Sequence, residues 1–194
     1  MPLILRDKDI AVCDALSDRF DSWKSVSVEY GDIFERPADA VVSPANSFGF
    51  MDGGIDAVYL KRFGTRIEDK LRKRIAQRGP MLPIGEVLWM ETDDESFPYL
   101  LVTPTMIGPS DISTTTNVFV AFHALLRFIR FSAKLDQAKN KIVCPGFGTG
   151  VGAMPPKLAA KQMEAAYAAV YRAGNLFPRN SREAHAYAAD LVTV

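Results

Sequence analysis

The feature that most constrains this chain is a short segment, residues 146–152, in which every second residue is glycine. It follows a compact apolar run at 141–144, which predicts a buried strand, and precedes a helical pattern that starts at Pro155. Alternating glycines between a strand and a helix expose successive backbone N–H groups, and this suits a bound diphosphate. The alternative is a glycine-rich crossover that binds no ligand.

A second loop, residues 43–56, also lies between a predicted buried strand and a predicted helix. Gly53 and Gly54 fall where the first N–H groups of the helix lack partners, which makes an anion site. Asn46 either presents its amide to a ligand or bonds its own backbone in a turn. Asp56 either serves the chemistry of a site or simply interacts with the helix dipole. Two such loops favour one ligand whose pyrophosphate lies between them.

Hydrophobic periodicity along the rest of the chain predicts alternating strands and helices, and therefore an α/β layered fold. In such folds, function lies beyond the carboxyl ends of the strands. The tail, 174–194, shows no clear pattern. The predicted strands are 3–5, 26–30, 38–43, 85–90, 99–103 and 141–144, and the predicted helices are 9–23, 54–63, 65–77, 117–132 and 155–173.

Length and composition set the broad class of the protein. A chain of 194 residues is expected to form a single domain spanning residues 1–194. Its 23 basic and 23 acidic side chains argue against a broadly basic nucleic-acid surface. No segment is long and apolar enough to predict a membrane span. Two separated cysteines and two histidines predict neither disulfides nor a metal site, and we expect a cytoplasmic protein without a cofactor.

Five segments in order carry a family resemblance: Gly-Asp-Ile at 31–33, Ala-Asp-Ala-Val-Val-Ser-Pro-Ala-Asn at 38–46, Gly-Gly-Ile-Asp at 53–56, Val-Thr-Pro-Thr-Met-Ile-Gly-Pro at 102–109 and Pro-Gly-Phe-Gly-Thr-Gly-Val at 145–151. Together they resemble the macro domain, an ADP-ribose-binding module, over residues 26–172. The resemblance implies a three-layer αβα fold with a mixed central sheet. It also implies that the partner is ADP-ribose or an ADP-ribosylated substrate.

The resemblance assigns roles to individual residues. Asp32 would accept a hydrogen bond from the adenine amino group, and the backbone of Ile33 would contact the ring. Asn46 would bond the distal ribose, and Asp56 would help to activate a water in hydrolytic members. The phosphates would be held by the two glycine loops, through Gly53, Gly54, Ile55, Gly148, Thr149, Gly150, Val151 and Gly152.

Several positions depart from the family pattern. Ser43 replaces the family's first asparagine, and we expect it to loosen the support beneath the first loop. Met51 and Asp52 replace glycines, and the charge of Asp52 is expected to weaken phosphate binding. Gly152 replaces the aromatic residue that packs on the distal ribose in hydrolytic members. Phe177 is a candidate for stacking on adenine, with a core or surface role as the alternative.

These observations leave three functions open. The first is binding of ADP-ribose with hydrolysis of an ADP-ribosyl ester or conjugate, and the second is a non-catalytic reader with the same pocket. The third is a Rossmann-type nucleotide enzyme, for which the spacing of Gly148, Gly150 and Ala153 is only a loose match. His123 and Cys144 are interpreted as packed structural residues, and the charges of segment 62–78 as a solvated helix face.

Overall fold

The structure is a computed structural model that describes residues 3–133, 135–136, 140–172 and 178–193. These residues form six strands and six helices. The strands are β1 (Leu3–Asp7), β2 (Val26–Tyr30), β3 (Ala40–Ser43), β4 (Leu88–Glu91), β5 (Tyr99–Val102) and β6 (Ile142–Cys144), and the helices are α1 (Ile10–Phe20), α2 (Gly54–Phe63), α3 (Arg66–Ala76), α4 (Asn117–Phe131), α5 (Pro156–Tyr171) and α6 (Ser181–Asp190).

The six strands form one sheet in the order β2-β1-β6-β3-β5-β4. Every neighbouring pair is parallel except β4 and β5, which form an antiparallel hairpin across the acidic turn at 93–95. The sheet is therefore mixed, and the carboxyl ends of five strands meet at one edge. The order also makes β1 and β6 neighbours inside the sheet, although they lie far apart in the sequence.

The sheet is buried on both faces, as its mainly parallel pairing requires. In β3, Ala40 and Val42 point into one apolar cluster, while Val41 points into the other. The first cluster contains residues of α1, α4 and α5, and the second contains residues of α2 and α3. The result is the three-layer αβα arrangement that the family resemblance implies, which is thereby confirmed.

Two regions differ from the sequence-based expectation or extend it. Strand β4 begins at Leu88 rather than at residue 85, because Glu86 donates to the carbonyl of Pro83 in a turn and Gly85 adopts a φ of +96°. The tail contains α6, whose first turn is capped by the side chain of Asn180. Phe177 lies outside the described residues.

Within the described part of the chain, no helix has both the length and the apolarity that crossing a bilayer requires.

Candidate functional site

The carboxyl ends of the five parallel strands line one continuous cleft. A cavity of about 500 Å³ adjoins a smaller one of about 80 Å³, and both are lined by Asp7, Ile55, Val58 and Pro145. The cleft follows the strand order, from the end of β2 to the end of β5. Five strands at about 4.8 Å per neighbouring pair give it a span of about 19 Å.

The structure brings the residues predicted from sequence to this cleft. The small cavity contains Asp32, Ile33 and Ile55. The large cavity contains Asn46, Gly53, Gly54, Ile55, Asp56, Gly148, Thr149, Gly150, Val151 and Gly152. The first group follows β2 at the edge of the sheet and the second follows β6 and β3 in its middle, with Ile55 lining both cavities, so a ligand that touches both groups extends across the strand ends.

The side chain of Asn46 shapes the first loop. Its Nδ2 donates to the carbonyl of Phe50 at 2.8 Å, and its Oδ1 accepts from the backbone N–H groups of Phe48 and Phe50 at 3.2 Å each. These bonds match the turn role that the sequence left open. The amide nevertheless lines the large cavity, so it stands beside any ligand bound there.

Met51 and Asp52, which replace glycines of the family pattern, face in opposite directions. Met51 is fully buried in the apolar cluster beneath α2 and α3, where it anchors the loop to the core. Asp52 is exposed and lines the large cavity. The substitutions therefore give the loop an apolar anchor and add one negative charge to the cleft.

Asp56 lies in the first turn of α2 and is almost fully buried. Its Oδ1 accepts a hydrogen bond from the hydroxyl of Ser43, at the end of β3, at 2.5 Å. The pKa of Asp56 is raised to about 7. Burial is the main cause of this rise, the hydrogen bond from Ser43 opposes it, and the nearby charge of Glu68 adds to it. A carboxyl group with this pKa is suited to proton transfer near neutral pH.

Ser43 corrects one expectation from the sequence. We expected a serine at this position to loosen the support beneath the first loop. Instead, its side chain is completely buried and holds the carboxyl group of Asp56. The signal was present in the sequence, since Ser43 ends a buried strand and Asp56 opens the following helix, but only the packing of α2 on β3 brings the two together.

The four glycines of the second loop serve different purposes. A Cβ on Gly146 would lie 2.5 Å from Val12 Cγ1, one on Gly148 would lie 2.8 Å from Val118 Cγ2, and one on Gly152 would lie 2.6 Å from the carbonyl oxygen of Gly148. A Cβ on Gly150 would meet no atom within 4 Å. Three of the glycines are thus required by packing, and Gly150 leaves open space over the cleft.

Val151 connects the two loops. Its Cγ2 atom lies 3.7 Å from the points at which side chains on Gly53 and Gly54 would begin. Gly53 is the N-cap of α2 and makes no side-chain capping bond, so no side chain of the cap occupies the first N–H groups of the helix. The backbone of both loops can therefore approach one ligand from opposite sides.

The small cavity contains the predicted Asp32 together with two charged residues that the sequence analysis missed, Arg6 and Lys8. Asp32 accepts from the backbone N–H of Phe34 at 2.8 Å and pairs with Lys8 at 2.6 Å, and both partners lower the pKa of its carboxyl group. Arg6 is buried and pairs with Glu29. Lys8 follows β1 directly, so the expectation of function beyond strand ends could have identified it.

Asp7, at the end of β1, was also missed. Its Oδ2 accepts from the backbone N–H of Gly146 at 3.0 Å, and its Oδ1 accepts from that of Asp9 at 3.0 Å. The first of these bonds ties the start of the second loop to β1. Asp7 therefore orients a loop that lies more than a hundred residues away in sequence.

Two residues outside the cleft fit the structural interpretation. Cys144 is fully buried, and burial raises the pKa of its thiol well above the ordinary value, which keeps it protonated. His123 stacks on Phe119, and burial together with Arg127 lowers its pKa. Among the described residues, no cluster of three or more His, Cys, Asp or Glu could hold a metal ion.

Several charges of segment 62–78, which was interpreted as a solvated helix face, also contact other elements of the fold. Arg62 pairs with Asp94, and Lys70 pairs with Asp93, so both helices that cover this side of the sheet are joined to the turn of the β4–β5 hairpin. The guanidinium of Arg72 lies 4.3 Å from the ring centre of Phe50, beside the first loop. Part of this charge therefore fastens the elements that border the cleft.

Comparison with known proteins gives a consistent result. A protein of Aquifex aeolicus, described only as uncharacterized, is 34% identical over 139 residues, which are 71% of this chain and 78% of that protein. A mutant of the Oceanobacillus iheyensis macrodomain with ADPR is similar with a TM-score of 0.60 and 16% identity, over 84% of this chain and 86% of that one. The structure of Thermosipho africanus DarTG in complex with ADP-ribose is similar with a TM-score of 0.56 and 13% identity, over 86% of this chain and 50% of that one.

At these identities, the solved structures establish a common fold and no more. The family itself is established by sequence. The model of the family described as Macro domain matches residues 42–163, which include the whole first loop and the whole second loop. This match decides against the Rossmann-type alternative. Because it covers more than half of the chain, the protein belongs to the Macro domain family.

Proposed function

We propose that this protein binds ADP-ribose or an ADP-ribosyl derivative in the cleft and hydrolyses an ADP-ribosyl ester or conjugate. The observation that carries the proposal is the shape of the cleft. A small cavity with a carboxylate adjoins a larger one that is lined by both glycine loops. A molecule with a base at one end, a diphosphate in the middle and a sugar at the other end matches this order.

In the proposed complex, the ligand runs along the strand order. Asp32 follows β2 at one end of the cleft, and its ionised carboxylate suits an adenine amino group. The diphosphate then lies between the N-terminus of α2 and Gly150, in the region that helix dipole and open backbone favour. The distal ribose lies near Asn46 and Asp56, which line the large cavity.

The position of Asp56 in the large cavity supports the proposal of hydrolysis at the distal ribose. Its carboxylate accepts a proton from a water molecule as the water oxygen forms a bond to the anomeric carbon. The bond from that carbon to the leaving oxygen breaks, and the leaving group keeps the electron pair. In an acetyl ester of the ribose, such as O-acetyl-ADP-ribose, the same water attacks the acyl carbon instead, the acyl C–O bond breaks, and the ribose oxygen leaves with the electron pair and takes up a proton. A diphosphate held rigidly by two loops keeps the anomeric carbon beside the water, and this positioning supplies part of the rate.

Binding is tested by titration calorimetry and thermal unfolding with ADP-ribose, ADP, NAD and guanine nucleotides. A ligand at 100 times its Kd adds about 2.7 kcal/mol to the folded state. For a chain of this length, we expect a rise in Tm of about 5–10 °C with ADP-ribose and none with guanine nucleotides. An unchanged Tm at millimolar ADP-ribose would contradict the proposal.

One observation favours the reader function as a second candidate. Gly152 occupies the position of the aromatic residue of hydrolytic members, and the packing around it leaves no room for a side chain. The two functions are separated by measuring release of ADP-ribose from O-acetyl-ADP-ribose and from a protein modified on aspartate or glutamate. Tight binding of ADP-ribose without release from either substrate would support the reader.

A further inference from the structure

Ser43 and Asp56 form a buried pair whose function goes beyond filling the core. Ser43 is the last residue of β3, and its backbone carbonyl accepts from the N–H of Thr103 on the neighbouring strand at 3.0 Å. This fixes its position in the sheet. Its hydroxyl then reaches up to Oδ1 of Asp56 at 2.5 Å, in the first turn of α2. A rigid sheet thus holds one oxygen of the carboxyl group.

The other oxygen of Asp56 faces the cleft. Oδ2 makes no hydrogen bond within the described part of the chain. Yet no fully enclosed side-chain oxygen or nitrogen of the described residues lacks a partner. Oδ2 must therefore keep contact with the solvent of the large cavity, which Asp56 lines. Ser43 of the sheet holds Oδ1, and Oδ2 is available to a ligand or water in the large cavity.

The remaining neighbours of Asp56 do not share this function. Glu68 on α3 acts through its negative charge, which disfavours the ionised carboxyl group. Tyr59, one turn along α2, is fully buried and donates its hydroxyl to the carbonyl of Val42 at 2.7 Å. Among the described residues, Ser43 is therefore the one donor that favours the ionised form of Asp56.

We propose that Ser43 is a positioning residue, whose hydroxyl holds Oδ1 of Asp56 against the sheet and leaves Oδ2 to the cleft as a proton acceptor. The inference rests on the proposed function for the identity of the substrate, but its physical part concerns the protein alone. A carboxylate buried without a donor binds its proton so tightly that it no longer acts as a base. The hydroxyl of Ser43 prevents this while leaving the second oxygen free.

The pair is tested first without any ligand. The titration of the Asp56 carboxyl carbon is followed by NMR in the wild type and in Ser43→Ala, with Ser43→Cys as a second variant that keeps the volume but weakens the donor. Loss of a hydrogen bond to a charged group is expected to raise the pKa of Asp56 by about one to two units, a ten- to hundredfold gain in proton affinity. Unchanged titration in both variants would overturn the proposal.

Thr103→Val is the matched control. Thr103 is also fully buried at the same edge of the sheet, and its hydroxyl donates to the carbonyl of Ala121 at 3.1 Å. The variant removes a buried hydroxyl without touching Asp56. We expect the titration of Asp56 to stay as in the wild type. A shift as large as that in Ser43→Ala would mean that any disturbance of this edge moves Asp56, and would contradict a specific function for Ser43.

The pH profile of hydrolysis then tests the catalytic part. With O-acetyl-ADP-ribose, the acid limb of kcat for Ser43→Ala is expected to move upward by the same one to two units, with activity regained at high pH. A variant that is merely less stable would lose activity without this shift. If the wild type binds ADP-ribose but hydrolyses nothing, the hydrolase proposal fails, while the NMR titration still decides whether Ser43 governs Asp56.

Discussion

Gly152 and Ile112 are packed so closely that a side chain at position 152 would collide with Ile112. The N–H of Ile112 donates to the carbonyl of Gly152 at 2.9 Å, and a Cβ on Gly152 would lie 2.8 Å from Cγ1 of Ile112. The same Cβ would lie 2.6 Å from the carbonyl oxygen of Gly148, which is backbone and cannot rotate away. Residue 152 is therefore part of the loop's internal packing, and an aromatic side chain cannot be grafted there without rebuilding the loop.

Gly152→Ala is expected to destabilise the protein by about 1–3 kcal/mol, because even one added carbon overpacks a closed contact. Thermal unfolding should show a fall in Tm of several degrees. Gly150→Ala is the control, since its Cβ meets nothing within 4 Å and Gly150 does not adopt a left-handed φ. Equal stability of the two variants would show that the second loop yields more easily than its contacts indicate.

Gly150→Val should abolish binding of ADP-ribose while the protein stays folded. A Cβ at position 150 meets no atom within 4 Å, but the branched side chain of valine is expected to occupy the space through which the loop backbone reaches the phosphates. Calorimetry should detect no binding at concentrations that saturate the wild type, and the Tm without ligand should be unchanged. Full affinity in this variant would place the diphosphate elsewhere in the cleft.

Asp32→Ala should weaken binding of ADP-ribose by about ten- to a hundredfold, because hydrogen bonds to charged groups contribute about 1.5–3 kcal/mol. Stability should change little, since Asp32 is 44% exposed and Lys8 is 68% exposed, and surface ion pairs contribute little. Asp190→Ala is the matched control. Asp190 is an exposed residue at the end of α6, and its carboxylate pairs with Lys161 of α5. Its removal should leave the affinity for ADP-ribose unchanged.

Local signals explain how much of this site the sequence could predict. The motifs around Asp32, Asp56 and Gly150 each lie within one connection that follows a strand, where glycines and the strand end mark an exposed backbone. Periodicity likewise predicted β2 and α2 with the bounds that the structure has, because both are short and sharply delimited by glycine. These loop motifs and element bounds depend on residues that are close in sequence, so they can be predicted from one sequence.

The missed residues depend on neighbours in space. Asp7 contacts the second loop only because β1 pairs with β6, and the strand order is not encoded in any local pattern. Met51 was interpreted only as the replacement of a family glycine, yet its side chain lies in the apolar cluster that contains residues of α2 and α3. Ser43 was interpreted as a loss, since a sequence comparison reports the missing asparagine but not the new partner, Asp56.

Asp56→Ala should lower the rate of ADP-ribosyl ester hydrolysis by about a hundredfold or more, the usual scale for loss of a general base. Affinity for ADP-ribose should change little, because activation of a water is an effect on the transition state. Single-turnover hydrolysis and calorimetry on the same preparations measure the two quantities. A loss of affinity that matched the loss of rate would assign Asp56 to ligand binding instead.

The stability of the protein should fall as the pH rises from 5 to 8, through Asp56. Its pKa is about 7 in the folded protein against an ordinary value of 3.8, so between these values the folded state holds a proton that the unfolded chain has lost. Unfolding then releases a proton, and a higher pH favours it until Asp56 ionises in the folded state as well. Asp56→Asn keeps the shape and the acceptor for Ser43 but cannot ionise. Relative to the wild type, it should gain about 2–3 kcal/mol in the free energy of unfolding between pH 5 and pH 8, measured by urea unfolding. A constant difference across that range would mean that Asp56 titrates like an exposed carboxyl group and cannot serve as a base near neutral pH.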